Sequence, residues 1–139
     1  MKSTVKWLQN VCFEATSETG HTVVMDGPPD AGGENRGFRP MELLLLGAAG
    51  CTSYDVITIL KKSRQDVRDC VAEISANRAD AIPAVFTDIH FHFVVTGVNL
   101  KPVQVERAIK LSAEKYCSGT MMLEKGGVSI THDFDIVEA

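Results

Sequence analysis

The chain has 139 residues, 45% hydrophobic and 23% charged, a balance that suits a single compact domain over residues 1–139 and leaves little for a second. Its net charge of -4 and pI near 5.5 argue against a phosphate-backbone partner, so nucleic-acid binding is not expected. The opening MKSTVKWLQN has no apolar run after its lysine, so no secretory signal is read and a cytoplasmic location is expected.

Residues 2–8 and 11–16 set Val5, Trp7, Val11 and Phe13 among polar neighbours, which predicts two short strands around a Gln9-Asn10 turn. A third strand is predicted over 21–26, after Gly20. GPPDAGGENRGFR, residues 27–39, lacks apolar periodicity and reads as an irregular, mobile loop. It leads to Pro40, a residue suited to the first position of a helix. From 40 to about 63 no turn signal appears, and Leu43 to Leu46, Ala48, Ala49, Val56, Ile57, Ile59 and Leu60 make the predicted helix apolar almost all round. Such a helix must be covered on most sides. Glu42, Thr52, Ser53, Asp55 and Thr58 interrupt the run, whereas a membrane span needs about 20 mostly apolar residues, so no membrane partner is expected. Gly47 and Gly50 each weaken a helix by roughly 1 kcal/mol against Ala, which suggests that another backbone approaches there.

Residues 70–78 and 85–96 predict two strands around ADAIP, with Ile89, Phe91 and Phe93 on one side and His90 and His92 on the other. Pro102 opens an amphipathic helix with Val105, Ala108, Ile109, Ser112 and Tyr116 on one face and Glu106, Lys110 and Glu114 on the other. Ser118 and Gly119 suggest a break before MMLEK, and Gly126-Gly127 end that piece. A last strand over 128–137 alternates Ile130, His132, Phe134 and Ile136 with Thr131, Asp133 and Asp135. The order βββαββαβ predicts an α+β fold, an antiparallel sheet packed on a long central helix and a second helix.

The four cysteines, Cys12, Cys51, Cys70 and Cys117, are spaced too widely for a C-x-x-C zinc or thioredoxin-like motif. The pair His90 and His92 reads as the polar outer face of a half-buried strand, so no metal or cofactor is expected. Cys51 reads first as a small core hydrophobe, since burial alone raises a thiol's pKa and a reactive Cys51 needs a cation or hydrogen-bond donors nearby. If the chain restarts as a helix at Ser118, Cys117 lies at its N-terminus, where free N–H groups favour a thiolate. Each thiol sits on an inward helix face, and packed helices lie roughly 8–10 Å apart on axis, which brings a disulfide within reach. Glu42 stands where a carboxylate caps a helix. Nine residues at about 100° each place it opposite Cys51, so its other role would be to hold a loop arginine, Arg36 or Arg39, over the thiol.

PMELLLLGAAGC and LSAEKYCS together resemble the paired-cysteine signature of the OsmC/Ohr family, and RPMELLLLGAAGCTSYDV with SAEKYCSGTMMLEK resembles its YhfA-like branch. The resemblance implies an OsmC-like fold in an intertwined homodimer, with active sites between subunits. It also implies thiol-dependent reduction of organic hydroperoxides in stress defence, with Cys51 as the peroxidatic and Cys117 as the resolving cysteine. A dithiol reductant, lipoylated protein in the best-known members, would restore both thiols. The Ohr and OsmC branches place the arginine-orienting glutamate ten residues before the cysteine, where this chain has Met41, and residues 1–35 hold no arginine. Arg39 with Glu42 is the substitute pair expected here. The alternatives are a non-catalytic small-ligand-binding protein with structural cysteines, and nucleophilic hydrolysis or acyl transfer by Cys51.

Overall fold

A computed structural model describes the whole chain, residues 1–139. Two compact units are present, Met1–Leu46 and Gly47–Ala139. Helix α1, Pro40–Lys62, starts in the first unit and continues into the second.

The first unit carries an antiparallel sheet of β1 (Ser3–Gln9), β2 (Cys12–Ser17) and β3 (Thr22–Met25), paired in that order. Its first turn passes through Asn10 at φ 48°, a left-handed conformation that asparagine tolerates better than most residues. The segment after β3 departs from expectation. It is tied to Asp26, only 2% exposed, whose carboxylate accepts the backbone N–H groups of Gly27, Glu34 and Arg36 at 2.7, 3.1 and 3.0 Å. These bonds, the Arg36 N–H above all, hold the Asp26 carboxyl below its usual range. Gly33 and Gly37 complete the arrangement, because a Cβ at either would collide with the carbonyls of Gly27 and Val24. A loop predicted from Gly and Pro content to be irregular is therefore organised by one buried acid, which periodicity does not reveal.

The second unit centres on β5 (Phe86–Val98), flanked by β4 (Asp66–Arg78) and β6 (Ser129–Glu138). Alternation along β5 buries Ile89, Phe91, Phe93 and Val95 to 1% exposure or less, and Val56, Leu60, Val105 and Ala108 are as fully buried. Burial of each large side chain contributes roughly 1.5–3 kcal/mol, so this strand and its helices dominate the stability of the unit. The β4–β5 pair is antiparallel as predicted, but β6 runs parallel to β5. The expected antiparallel sheet is thus corrected to a mixed one. A parallel return needs a long crossover, supplied here by α2 (Pro102–Leu111), a π turn (Ser112–Tyr116) and α3 (Ser118–Lys125).

Within this chain α1 buries only Ala48, Ala49, Thr52, Val56 and Leu60, mostly a stripe at intervals of four. Leu44, Leu46 and Tyr54 are 56%, 40% and 73% exposed. The helix is long and apolar enough to cross a membrane by length and composition alone, with mean hydropathy 1.7 over its most apolar stretch, a property shared by core helices.

Candidate thiol site

Cys51 lies in the middle of α1, half-buried, and Cys117 lies between the π turn and α3, 1% exposed. The turn is closed by the Cys117 N–H donating to Ser112 O at 2.8 Å. The helix then restarts at Ser118 as the sequence suggests, and the Cys117 sulfur caps it by accepting the Thr120 N–H at 3.4 Å. Glycine at position 119 permits close approach. A Cβ there would stand 3.4 Å from Ala48 Cα and 3.8 Å from Cys51 Sγ, so this turn of α3 lies directly on α1. By contrast, nothing in the chain lies within 4 Å of a Cβ built at Gly47 or Gly50. The close approach predicted for those two glycines is found one residue away, at Ala48.

The two sulfurs and an Asp55 carboxylate oxygen all lie within 4.8 Å of one another. Asp55 follows Cys51 by one helical turn, and its Oδ2 accepts the Ser112 hydroxyl at 2.9 Å. That hydroxyl also meets Thr52 Oγ1 at 2.9 Å, and both Ser112 and Thr52 are fully buried. A buried hydroxyl pair thus aims a carboxylate at two thiols. Burial pushes the Cys117 thiol up, the Thr120 hydrogen bonds oppose that rise, and the neighbouring Cys51 adds to it. Beside the site, a cavity of about 460 Å³ is lined by Asp55, Ile59, Lys62, Arg107, Leu111 and Tyr116 among others.

Sequence reasoning paired the thiols but passed over Asp55, Thr52 and Ser112. The i,i+4 spacing of Cys51 and Asp55 was a usable signal; the partner hydroxyl from the π turn was not, because it comes from a residue distant in sequence.

The Arg39 and Glu42 pair forms in another way than expected. Glu42 Oε1 accepts the backbone N–H of Arg39 at 3.2 Å, and the first helical bond of α1 runs from the Leu43 N–H to the Arg39 carbonyl at 3.2 Å, so the Glu42 carboxylate caps the first turn. The guanidinium turns elsewhere: Arg39 Nη1 donates to Asn35 Oδ1 at 3.0 Å and to the carbonyls of Gly37 and Asp26 at 3.3 and 3.4 Å. Arg36 pairs with Glu34 at 2.6 Å. The capping role wins because position three of a helix brings a carboxylate back to the first free N–H, where both charge and geometry favour it.

His90 and His92 stand on the outer face as predicted and share Asp133, at 2.9 and 2.6 Å. His132 points inward, stacked on Phe91 and Phe93 at 5.6 and 6.4 Å between centroids, and its buried Nε2 has no partner. Burial lowers its pKa, helped by the charge of His90.

Comparison with known proteins places these features in context. Residues 32–133 match the family profile described as OsmC-like protein. Protein YhfA of Escherichia coli (strain K12) is 45% identical over 139 residues, 100% of both chains. A solved structural-genomics structure is 44% identical with a TM-score of 0.91, again over 100% of both chains. The organic hydroperoxide resistance protein OhrB of Bacillus subtilis superposes with a TM-score of 0.63 over 96% of each chain at 18% identity, a likeness of fold.

Proposed function

The chain belongs to the OsmC-like family, and from that premise we propose that it is a cysteine-dependent peroxidase, acting on organic hydroperoxides in oxidative-stress defence. The observation that carries this reading is the thiol pair: two sulfurs from distant parts of the chain lie within 4.8 Å. Relatives by fold that are named for organic hydroperoxide resistance support the substrate class.

In this reading the Cys51 thiolate attacks the O–O bond of the hydroperoxide; the sulfur takes one oxygen as a sulfenic acid, and the alkoxide leaves and takes a proton to become an alcohol. The Cys117 thiol then condenses with the sulfenic acid, forming the disulfide and releasing water. A dithiol, such as a lipoylated protein, reduces the disulfide by exchange and is itself oxidised. Arg39 and Glu42 enter as the pair that fixes the first turn of α1. The chain works as one domain in the cytoplasm and as a homodimer, which would cover the exposed Leu44, Leu46 and Tyr54.

Reduced protein mixed with cumene hydroperoxide should lose both thiols and consume the peroxide, with catalytic turnover once a dithiol is added. Retention of both thiols while the peroxide persists would sink the reading. One observation favours a second one: Cys117 is 1% exposed and burial pushes its thiol up, as a non-catalytic ligand-binding protein with structural cysteines would allow. Cys51→Ser separates them, abolishing turnover in the first case and leaving ligand binding intact in the second.

A further inference from the structure

We propose that reduced Cys51 and Cys117, together with Asp55, form a binding site for a thiophilic divalent cation of the zinc type. The three donors converge from two segments, with their ligand atoms all within 4.8 Å. Zinc bonds of about 2.3 Å to sulfur and 2.0–2.2 Å to oxygen, at tetrahedral angles, set donors roughly 3.5–3.8 Å apart. The side chains therefore need to close by about an ångström, within reach of small rotations about their χ angles. Three protein ligands leave a fourth position for water or an added ligand, the arrangement of an open site.

Features around the donors suit a cation better than they suit a bare thiolate. Two sulfurs and a carboxylate concentrate negative charge when ionised, and a divalent cation offsets it. The Ser112 hydroxyl holds the Asp55 carboxylate at 2.9 Å and is itself held by Thr52, which is how an outer-shell partner orients a metal-binding carboxylate. The Thr120 N–H donates to the Cys117 sulfur at 3.4 Å and so fixes where that ligand atom stands. Loading exchanges two thiol protons for one cation, so binding strengthens as pH rises. A disulfide between the same two cysteines removes both sulfur ligands, which makes metal loading and oxidation mutually exclusive.

The test uses the reduced full-length chain and Co²⁺, because thiolate ligation gives an intense charge-transfer absorption that histidine and carboxylate sites lack. One Co²⁺ per chain with this band, displaced by Zn²⁺, is expected. The band should fall to half or less in Cys51→Ser and in Cys117→Ser, where serine still caps α3. Asp55→Asn should weaken binding at least about tenfold, the lower end of what loss of even an outer-shell partner costs. Absence of the band in the wild-type chain, or equal affinity in Asp55→Asn, would overturn the proposal, as would Co²⁺ bound only without the band. The assay contains no peroxide, so its failure leaves the peroxidase reading standing and the converse also holds.

Discussion

Replacing Ser112 with alanine should expose how much of the site's geometry depends on one hydroxyl. Ser112 and Thr52 are both fully buried and their hydroxyls meet at 2.9 Å, while Ser112 also donates to Asp55. In Ser112→Ala the Asp55 carboxylate, which is half-buried, can turn to water, but the Thr52 hydroxyl is left without its partner in a dry setting. Leaving such a group unsatisfied costs about 1–3 kcal/mol. The lower end applies if Thr52 swings to donate to the carbonyl four residues back on α1. Thr52→Val alone removes a hydroxyl while keeping the shape, and Ser112 retains Asp55, so its cost should be small. The double variant should then be more stable than Ser112→Ala, because the stranded group is gone. Urea midpoints of the four proteins read this directly. Costs that simply add, with the double variant least stable, would refute the idea that an orphaned Thr52 hydroxyl is the source of the loss.

Three further outcomes are expected. With Cys117→Ser, organic hydroperoxide should stop the reaction at one sulfenic acid on Cys51, seen as a single dimedone adduct with no turnover; two adducts or continued turnover would contradict the assigned order. Asp26 has a lowered folded pKa, so its contribution to stability is present above the usual value of 3.8 and is lost as pH falls through the folded value. Asp26→Asn should therefore flatten the acid limb of a plot of unfolding midpoint against pH. His92 has a raised pKa, chiefly through its hydrogen bond to Asp133, so its contribution is present below 6.5 and lost as pH rises through the higher folded value. An NMR titration should return His92 toward 6.5 in Asp133→Asn.

Much of the local structure was legible from residue chemistry. Pro40 marks the first residue of α1, Ser118 and Gly119 mark the restart that makes Cys117 a helix cap, and the alternation of β5 names the core residues Ile89, Phe91 and Phe93. What escaped depends on tertiary neighbours. Nothing local in residues 128–137 says whether β6 pairs parallel or antiparallel; the crossover through α2 and α3 decides it. Asp26 and Ser112 look like ordinary polar residues until burial gives each a set of partners it must satisfy. Arg39 was a plausible partner for Glu42, but as a side chain; the backbone N–H, which every residue but proline carries, took that place.

The wide turn at Ser112–Tyr116 has a consequence for how this protein tolerates change. In an unbroken α-helix, residues five apart face directions about 140° apart, so Ser112 and Cys117 would not both look toward the same neighbour. A turn closed five residues back brings them round to nearly one side, by accommodating an extra residue. The meeting of Cys117 with Cys51 is thus encoded in a count of residues as much as in their identities. Substitutions at the exposed Glu114, Lys115 or Tyr116 leave that count alone, whereas insertion of one further residue would turn the sulfur about 100° farther round the axis and carry it away from its mate.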